Sequence, residues 1–255
     1  MNLDKDLNNL VVLDNMLVES LSDMTLSEKR LIYILLSKIN PTLLLTPSDE
    51  DIYNPKISVE EFGTRQVLEG EEVAGKLFTL TVKEYATLVG LDLKDAREAL
   101  TFVAERLYTR SVSSIIGNKF NKFRWVQQVI FDKDMDSVSL MWSNPIIPYI
   151  RQLTSYFVQL RLQHLLTLNS SYSWRLYEVL KMEKGKNIYK KEVKFEVEEL
   201  QTLLNVPESR KEYKFFKSKI IKVAVGELIT KNVMPQLDYK EKKVGRRIVS
   251  LEFVW

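Results

Sequence analysis

Side chains able to do covalent or metal chemistry are scarce in this sequence, which holds one histidine, His164, and no cysteine. Without cysteine there is no disulfide framework and no thiolate to act as nucleophile or metal ligand. One histidine cannot supply the paired imidazoles of most catalytic metal sites and histidine-based nucleases, and a Cys-His arrangement is excluded. His164 lies within Leu160–Leu168, where an ordinary packed or surface role is expected of it. Gly70-Glu-Glu-Val-Ala-Gly75-Lys76 has the G-x-x-x-x-G-K spacing of a phosphate-binding loop. Leu77, however, follows where a magnesium-binding Ser or Thr belongs, and Glu71 and Glu72 would repel phosphate. A strand rather than a helix N-terminus is expected next, so the spacing is read as coincidence. The chain is expected not to be an enzyme and to use no metal or cofactor.

What the sequence does hold is cations. One set is Arg210, Lys211, Lys214, Lys217, Lys219 and Lys222, with the small hydroxyl of Ser218 among them. A second set, Lys240, Lys242, Lys243, Arg246 and Arg247, surrounds Gly245. Long cations reach phosphates and guanine edges, and a hydroxyl can approach bases. Residues 184–255 hold 17 Lys and Arg against 10 Asp and Glu, while residues 1–183 carry a net charge of −4. Such asymmetry suits one end of the chain to a polyanion. A weaker set, Lys94, Arg97, Lys119, Lys122 and Arg124, shares its region with Asp92, Asp95, Glu98 and Glu105. There phosphate contact or a protein interface is expected rather than base reading.

The elements that must position these cations occur twice. Leu80–Leu91 aligns without gaps on Phe195–Val206, 115 residues later, with Val82/Val197, Glu84/Glu199, Thr87/Thr202 and Leu88/Leu203 identical. Each copy begins with a strand-like stretch, Leu77–Leu80 or Val193–Phe195, and continues as a short amphipathic helix. Thr81 and Glu84 form a capping box in the first copy. The short helices stop at Gly90 and Asn205, residues that tolerate the left-handed conformation. Longer helices follow. In Asp92–Thr109 the inward stripe is Leu93, Ala96, Leu100, Val103 and Leu107; in about 211–231 it is Tyr213, Phe216, Ile220, Val223 and Ala224, with Glu227 close to it.

Strands come next in both copies. The first has Ser111–Ile116, a Gly117-Asn118 turn, Lys122–Phe131 and Ser137–Trp142; the second has Pro235–Lys240, a charged loop at Val244-Gly245, and Arg247–Trp255. Strand, helix, turn, helix and hairpin, twice in order, predict an α+β fold of tandem winged-helix domains. The expected division is 1–152, with an acidic insertion at about 41–75, and 153–255. Thr25-Leu-Ser-Glu28 caps a helix through Lys38, Asn144-Pro145 starts another, and a helix from about Ser170 to Lys184 opens the second half. No apolar run approaches the ~18 residues of a membrane span, and a soluble cytoplasmic protein without membrane partners is expected.

Ser173-Trp-Arg-Leu-Tyr-Glu-Val-Leu-Lys181 resembles the R-L-Y-E-x-L helix of the initiator Rep proteins of iteron-containing plasmids. Asn15–Ser20 with Thr25–Leu31 resembles their N-terminal helices, and Ile220–Leu228 with Lys243–Ile248 their second recognition helix and wing. The resemblance implies a non-enzymatic theta replication initiator. It would bind origin direct repeats as a monomer, help open the duplex and recruit host replication proteins. As a dimer joined through the first winged helix it would bind an operator inverted repeat and repress its own gene. The resemblance also implies a structural role for Arg175 and Tyr177. A tandem winged-helix transcriptional regulator without a role in origin opening remains the alternative.

Overall fold

A computed structural model describes residues 10–39, 77–116, 118–150, 153, 156–186, 189 and 191–255. The acidic 41–75 segment, the Gly70–Lys76 spacing up to Leu77, and Gly117 of the expected turn lie outside the described residues. Packing divides the chain into two units, Met1–Lys29 with Ser155–Trp255, and Arg30–Thr154.

The chain opens with β1 (Leu10–Asp14), α1 (Asn15–Ser20) and α2 (Leu26–Ser37). Thr25 and Glu28 form the expected capping box ahead of α2, with the Thr25 backbone N–H donating to Glu28 Oε2 at 2.8 Å. Leu31, Ile32, Leu35, Leu36 and Ile39 are buried as the spacing requires. The unit boundary falls within α2, between Lys29 and Arg30.

In the Arg30–Thr154 unit, β2 (Leu77–Thr81) leads into α3 (Val82–Val89) and α4 (Leu93–Thr109). Thr81 Oγ1 accepts from the Glu84 N–H at 3.1 Å, and Gly90 closes α3 at φ +75°, where a Cβ would be strained. Ala96, Leu100, Val103 and Leu107 are buried, but Leu93 is 57% exposed, because it is the first residue after the Asp92 N-cap and precedes the stripe. Four strands follow, β3 (Ser111–Ile116), β4 (Lys119–Arg124), β5 (Val126–Phe131) and β6 (Ser137–Trp142).

The single strand expected over Lys122–Phe131 is therefore two strands in two sheets, β3-β4 and β2-β6-β5. Trp125 is the break. Its N–H donates to Arg110 O, its carbonyl accepts from Ser143 N, and its fully buried ring lies 6.3 Å from that of Trp142. Burying that indole turns the backbone out of one sheet and into the next. Ser143, not Asn144, precedes the 3-10 helix Asn144–Tyr149, which has Pro145 in its first turn.

The other unit continues through β7 (Phe157–Arg161), α5 (Leu162–Thr167) and α6 (Ser171–Lys186). Then come β8 (Glu192–Glu196), α7 (Val197–Leu203) and the 3-10 turn Glu208–Arg210. The next helix, α8, joins an α-helical Tyr213–Phe215, a π-helical Phe216–Ile221 and an α-helical Lys222–Thr230. It leads to β9 (Asp238–Val244) and β10 (Arg247–Val254). The sheet order β8-β10-β9 repeats β2-β6-β5, with β3-β4 as an added hairpin in the first copy. Asn205, at φ +50°, takes the place of Gly90.

The expected division at 152/153 assigned residues 10–29 to the first half. They instead complete the C-terminal unit, where β1 pairs antiparallel with β7 from Leu10↔Arg161 to Asp14↔Phe157. The motif on α6 holds them there. Arg175 donates to Leu203 O at 2.7 Å and to Val18 O at 2.9 Å. The buried Glu178 carboxylate accepts from Trp174 Nε1 at 2.8 Å and pairs with Lys29 and Arg175, each at 3.2 Å. Burial pulls the Lys29 ammonium pKa down, with Glu178 working against that shift.

Candidate nucleic-acid interface

The sequence of α8 sets which side chains it offers. A regular helix advances about 100° per residue, so Tyr213, Phe216 and Ile220 would be followed inward by Val223, Ala224 and Glu227. The π turn accommodates one extra residue, and beyond it the buried face is Ile221, Ala224, Val225 and Leu228. Val223, expected inside, is exposed, and Val225 replaces it. Glu227 also leaves the stripe: its carboxylate accepts from the N–H groups of Asn169 (2.8 Å) and Ser170 (3.1 Å), just ahead of α6.

Lys214, Ser218, Lys219 and Lys222 are exposed on the opposite side of α8, and Arg210 is exposed in the turn before it. Lys211 pairs with Glu208 at 2.7 Å, so it adds little net charge there. Lys217 is set apart from its neighbours. Its ammonium meets Glu241 Oε1 at 2.5 Å, and the Tyr213 hydroxyl donates to the same oxygen at 2.7 Å. Burial raises the Glu241 carboxyl, and these two partners more than offset that, leaving its pKa below the ordinary value. The bond to Glu241 pushes the Lys217 pKa up. Burial, then Glu241, push the Tyr213 phenol upward. One carboxylate thus ties the helix to the first wing strand.

The cations around Gly245 do not form one surface. Strand β9 runs through the expected loop to Val244, and Gly245 at φ +61° starts a two-residue turn closed by Val244↔Arg247. Glu241 and Lys243 share the strand face opposite Leu251 and Ile248. Lys240 and Lys242 alternate to the other face, where Lys242 pairs with Glu252 at 3.1 Å. At the turn, Arg246 is exposed, and Arg247 meets Glu198 of α7 at 2.9 Å in an open pair. A cleft of about 890 Å³ adjoins this pair, lined by Glu198, Thr202, Lys211, Tyr213, Arg246 and Arg247 among others.

In the other unit, Lys94 is exposed near the start of α4 and Arg97 is paired with Asp136. Lys119, Lys122 and Arg124 lie on β4, their backbones opposite Ile116, Ser113 and Ser111. Arg124 donates to Tyr108 O at 2.8 Å with its guanidinium 5.8 Å from the Tyr108 ring. Sequence reasoning missed Glu241, Glu208, Glu198, Glu252 and Asp136, the carboxylates that engage five of the expected contact residues. Their acidity was visible, but their partners lie on other elements or in turns.

Two models of one family match the chain: Initiator Replication protein, WH1, over residues 65–181, and Initiator Rep protein, WH2, over residues 196–255. The chain belongs to the initiator Rep protein family. Its two winged helices are thus those of an initiator. A replication initiation protein of Escherichia coli is 25% identical over 219 residues, 85% of this chain. The chain spans 60% of that relative's length. The fold is that of the Pi initiator protein, solved in complex with iteron DNA, with a TM-score of 0.75 at 20% identity. That likeness covers 97% of this Rep-family chain and 96% of the other. Among the described residues, no group of three or more His, Cys, Asp or Glu could hold a metal ion, and no helix is long and apolar enough to cross a membrane.

Proposed function

We propose that this chain is a plasmid replication initiator that binds repeated origin DNA, reading bases with α8 and gripping phosphate with the turn at Gly245. The observation that carries this reading is the exposed face of Lys214, Ser218, Lys219 and Lys222 beside a tight turn bearing Arg246. A recognition helix with a cationic wing meets the major groove and its flanking phosphates in this way. The similar Pi initiator was solved on iteron DNA, which supports the same class of ligand. Base reading is assigned to the C-terminal winged helix. Its N-terminal counterpart, with Lys94, Arg97, Lys119, Lys122 and Arg124, is assigned phosphate contact and pairing with a second copy. The monomer binds direct repeats and promotes opening, recruiting host replication proteins, while the dimer represses its own gene at an inverted repeat.

The test is a titration of the full chain against candidate origin repeats and random duplex of equal length at physiological salt. Species mass is measured free and bound. Tighter binding to the repeat by about 10³-fold or more is expected, with one protomer per repeat. Equal affinity for both duplexes would sink the proposal. Repeat binding without strand opening in a permanganate footprint of supercoiled origin DNA would leave a regulator instead.

A further inference from the structure

Two large apolar side chains stand on the cationic face of α8, Phe215 at 41% and Val223 at 46% exposure. Single exposed apolar residues are ordinary. Val223, however, is placed by a deviation in the helix. Phe215, Lys219 and Val223 are all exposed at four-residue intervals, as are Lys214, Ser218 and Lys222 beside them. The exposure extends to Val223 because the π segment Phe216–Ile221 precedes it; a regular helix would have turned Val223 into the core. The core loses nothing, since Val225 takes the buried place. Close to Val223, Gly226 has open space where a Cβ would sit.

Apolar groups between lysines match one feature of duplex DNA: the C5-methyl of thymine, the one apolar group on a major-groove base edge. We infer that Phe215 and Val223 read thymine methyls, with the π turn aiming Val223 at the groove. The inference rests on the proposed DNA reading by α8 and adds the chemistry that α8 recognises.

The probe is the duplex that the full chain selects from a random pool, with its thymines replaced one at a time by deoxyuridine, which removes only the methyl. The wild-type chain is expected to bind about fourfold more weakly at each contacted thymine, the equivalent of one buried methylene-sized group. Phe215→Ala and Val223→Ala should each bind the thymine and uracil duplexes alike at one of those positions. Both residues are exposed, so unchanged thermal melting is expected. Wild-type indifference to every replacement, or variants that keep the full sensitivity, would overturn the inference. A pool that yields no preferred duplex overturns the proposed function and this inference together.

Discussion

Lys214 and Lys222 have no ion pair to another described residue, whereas Lys217 is engaged by Glu241. Residues that look equivalent along the chain therefore differ as phosphate ligands. Lys214→Ala or Lys222→Ala should reduce the slope of log affinity against log salt by about 0.9, one phosphate contact each. Lys217→Ala should leave that slope nearly unchanged, while Glu241→Gln, which frees the Lys217 ammonium, should steepen it by a similar amount and tighten binding to random duplex. Fluorescence anisotropy titrations at several salt concentrations check all four. His164 offers a second test at this scale. Burial, then Arg161 and Lys181, hold its pKa below the ordinary 6.5, and its Nδ1 lies 3.1 Å from the Tyr177 hydroxyl. Burial pushes the Tyr177 phenol to about 12, so the hydroxyl remains protonated. With the folded histidine pKa depressed, the unfolded chain binds the extra proton first, so stability is complete above 6.5 and falls as pH drops below it. Urea midpoints measured from pH 7.5 to 5 should decline more steeply for the wild-type chain than for His164→Gln.

Among the elements, α8 departs furthest from its sequence pattern. The short helices were legible because their ends are made by single residues, Thr81 as a cap and Gly90 or Asn205 as a left-handed stop. The inward face of α8 was not, because a π turn has no residue signature of its own and moves every later position by one. Glu227 interrupted the expected stripe, and its actual task lies on another helix, as acceptor for the N–H groups of Asn169 and Ser170 ahead of α6. Glu227→Ala should cost about 1–2 kcal/mol in urea unfolding, as for loss of a helix cap, and Glu227→Gln less, since an acceptor oxygen remains. The expected strand over Lys122–Phe131 failed for a related reason: unbroken alternation conceals a change of sheet when the pivot, Trp125, is itself apolar. Cation positions were legible by residue type. Their pairing was not, because Lys217–Glu241 and Arg247–Glu198 depend on how helix and wing pack.

At the scale of the molecule, the C-terminal unit is assembled from two separated stretches of the sequence, Met1–Lys29 and Ser155–Trp255. A fragment of residues 153–255 retains α8, β9 and β10 but lacks β1, Val18 and Lys29, leaving β7 without its partner strand. Its urea midpoint should lie well below that of the corresponding transition in the full chain, and a peptide of residues 10–29 added in trans should raise it. Equal midpoints would show that the N-terminal segment contributes nothing to this unit. Charge asymmetry along the sequence gave no hint of this arrangement, because β1 and α1 carry few charges and their links to the C-terminal unit are a strand ladder and buried side chains.

The pairing of Leu10 with Arg161 also orders events during synthesis. Strand β1 leaves the ribosome before its partner, which is made only after the whole intervening unit, about 7–30 s later at ordinary elongation rates. Throughout that interval Leu10-Val-Val-Leu13 is a short, uncharged β segment with no native strand to pair with. Such segments template association with other chains. Crowding of ribosomes on one message during that period should therefore lower the yield of folded protein. Slower initiation of translation should recover more soluble protein than a faster supply of message.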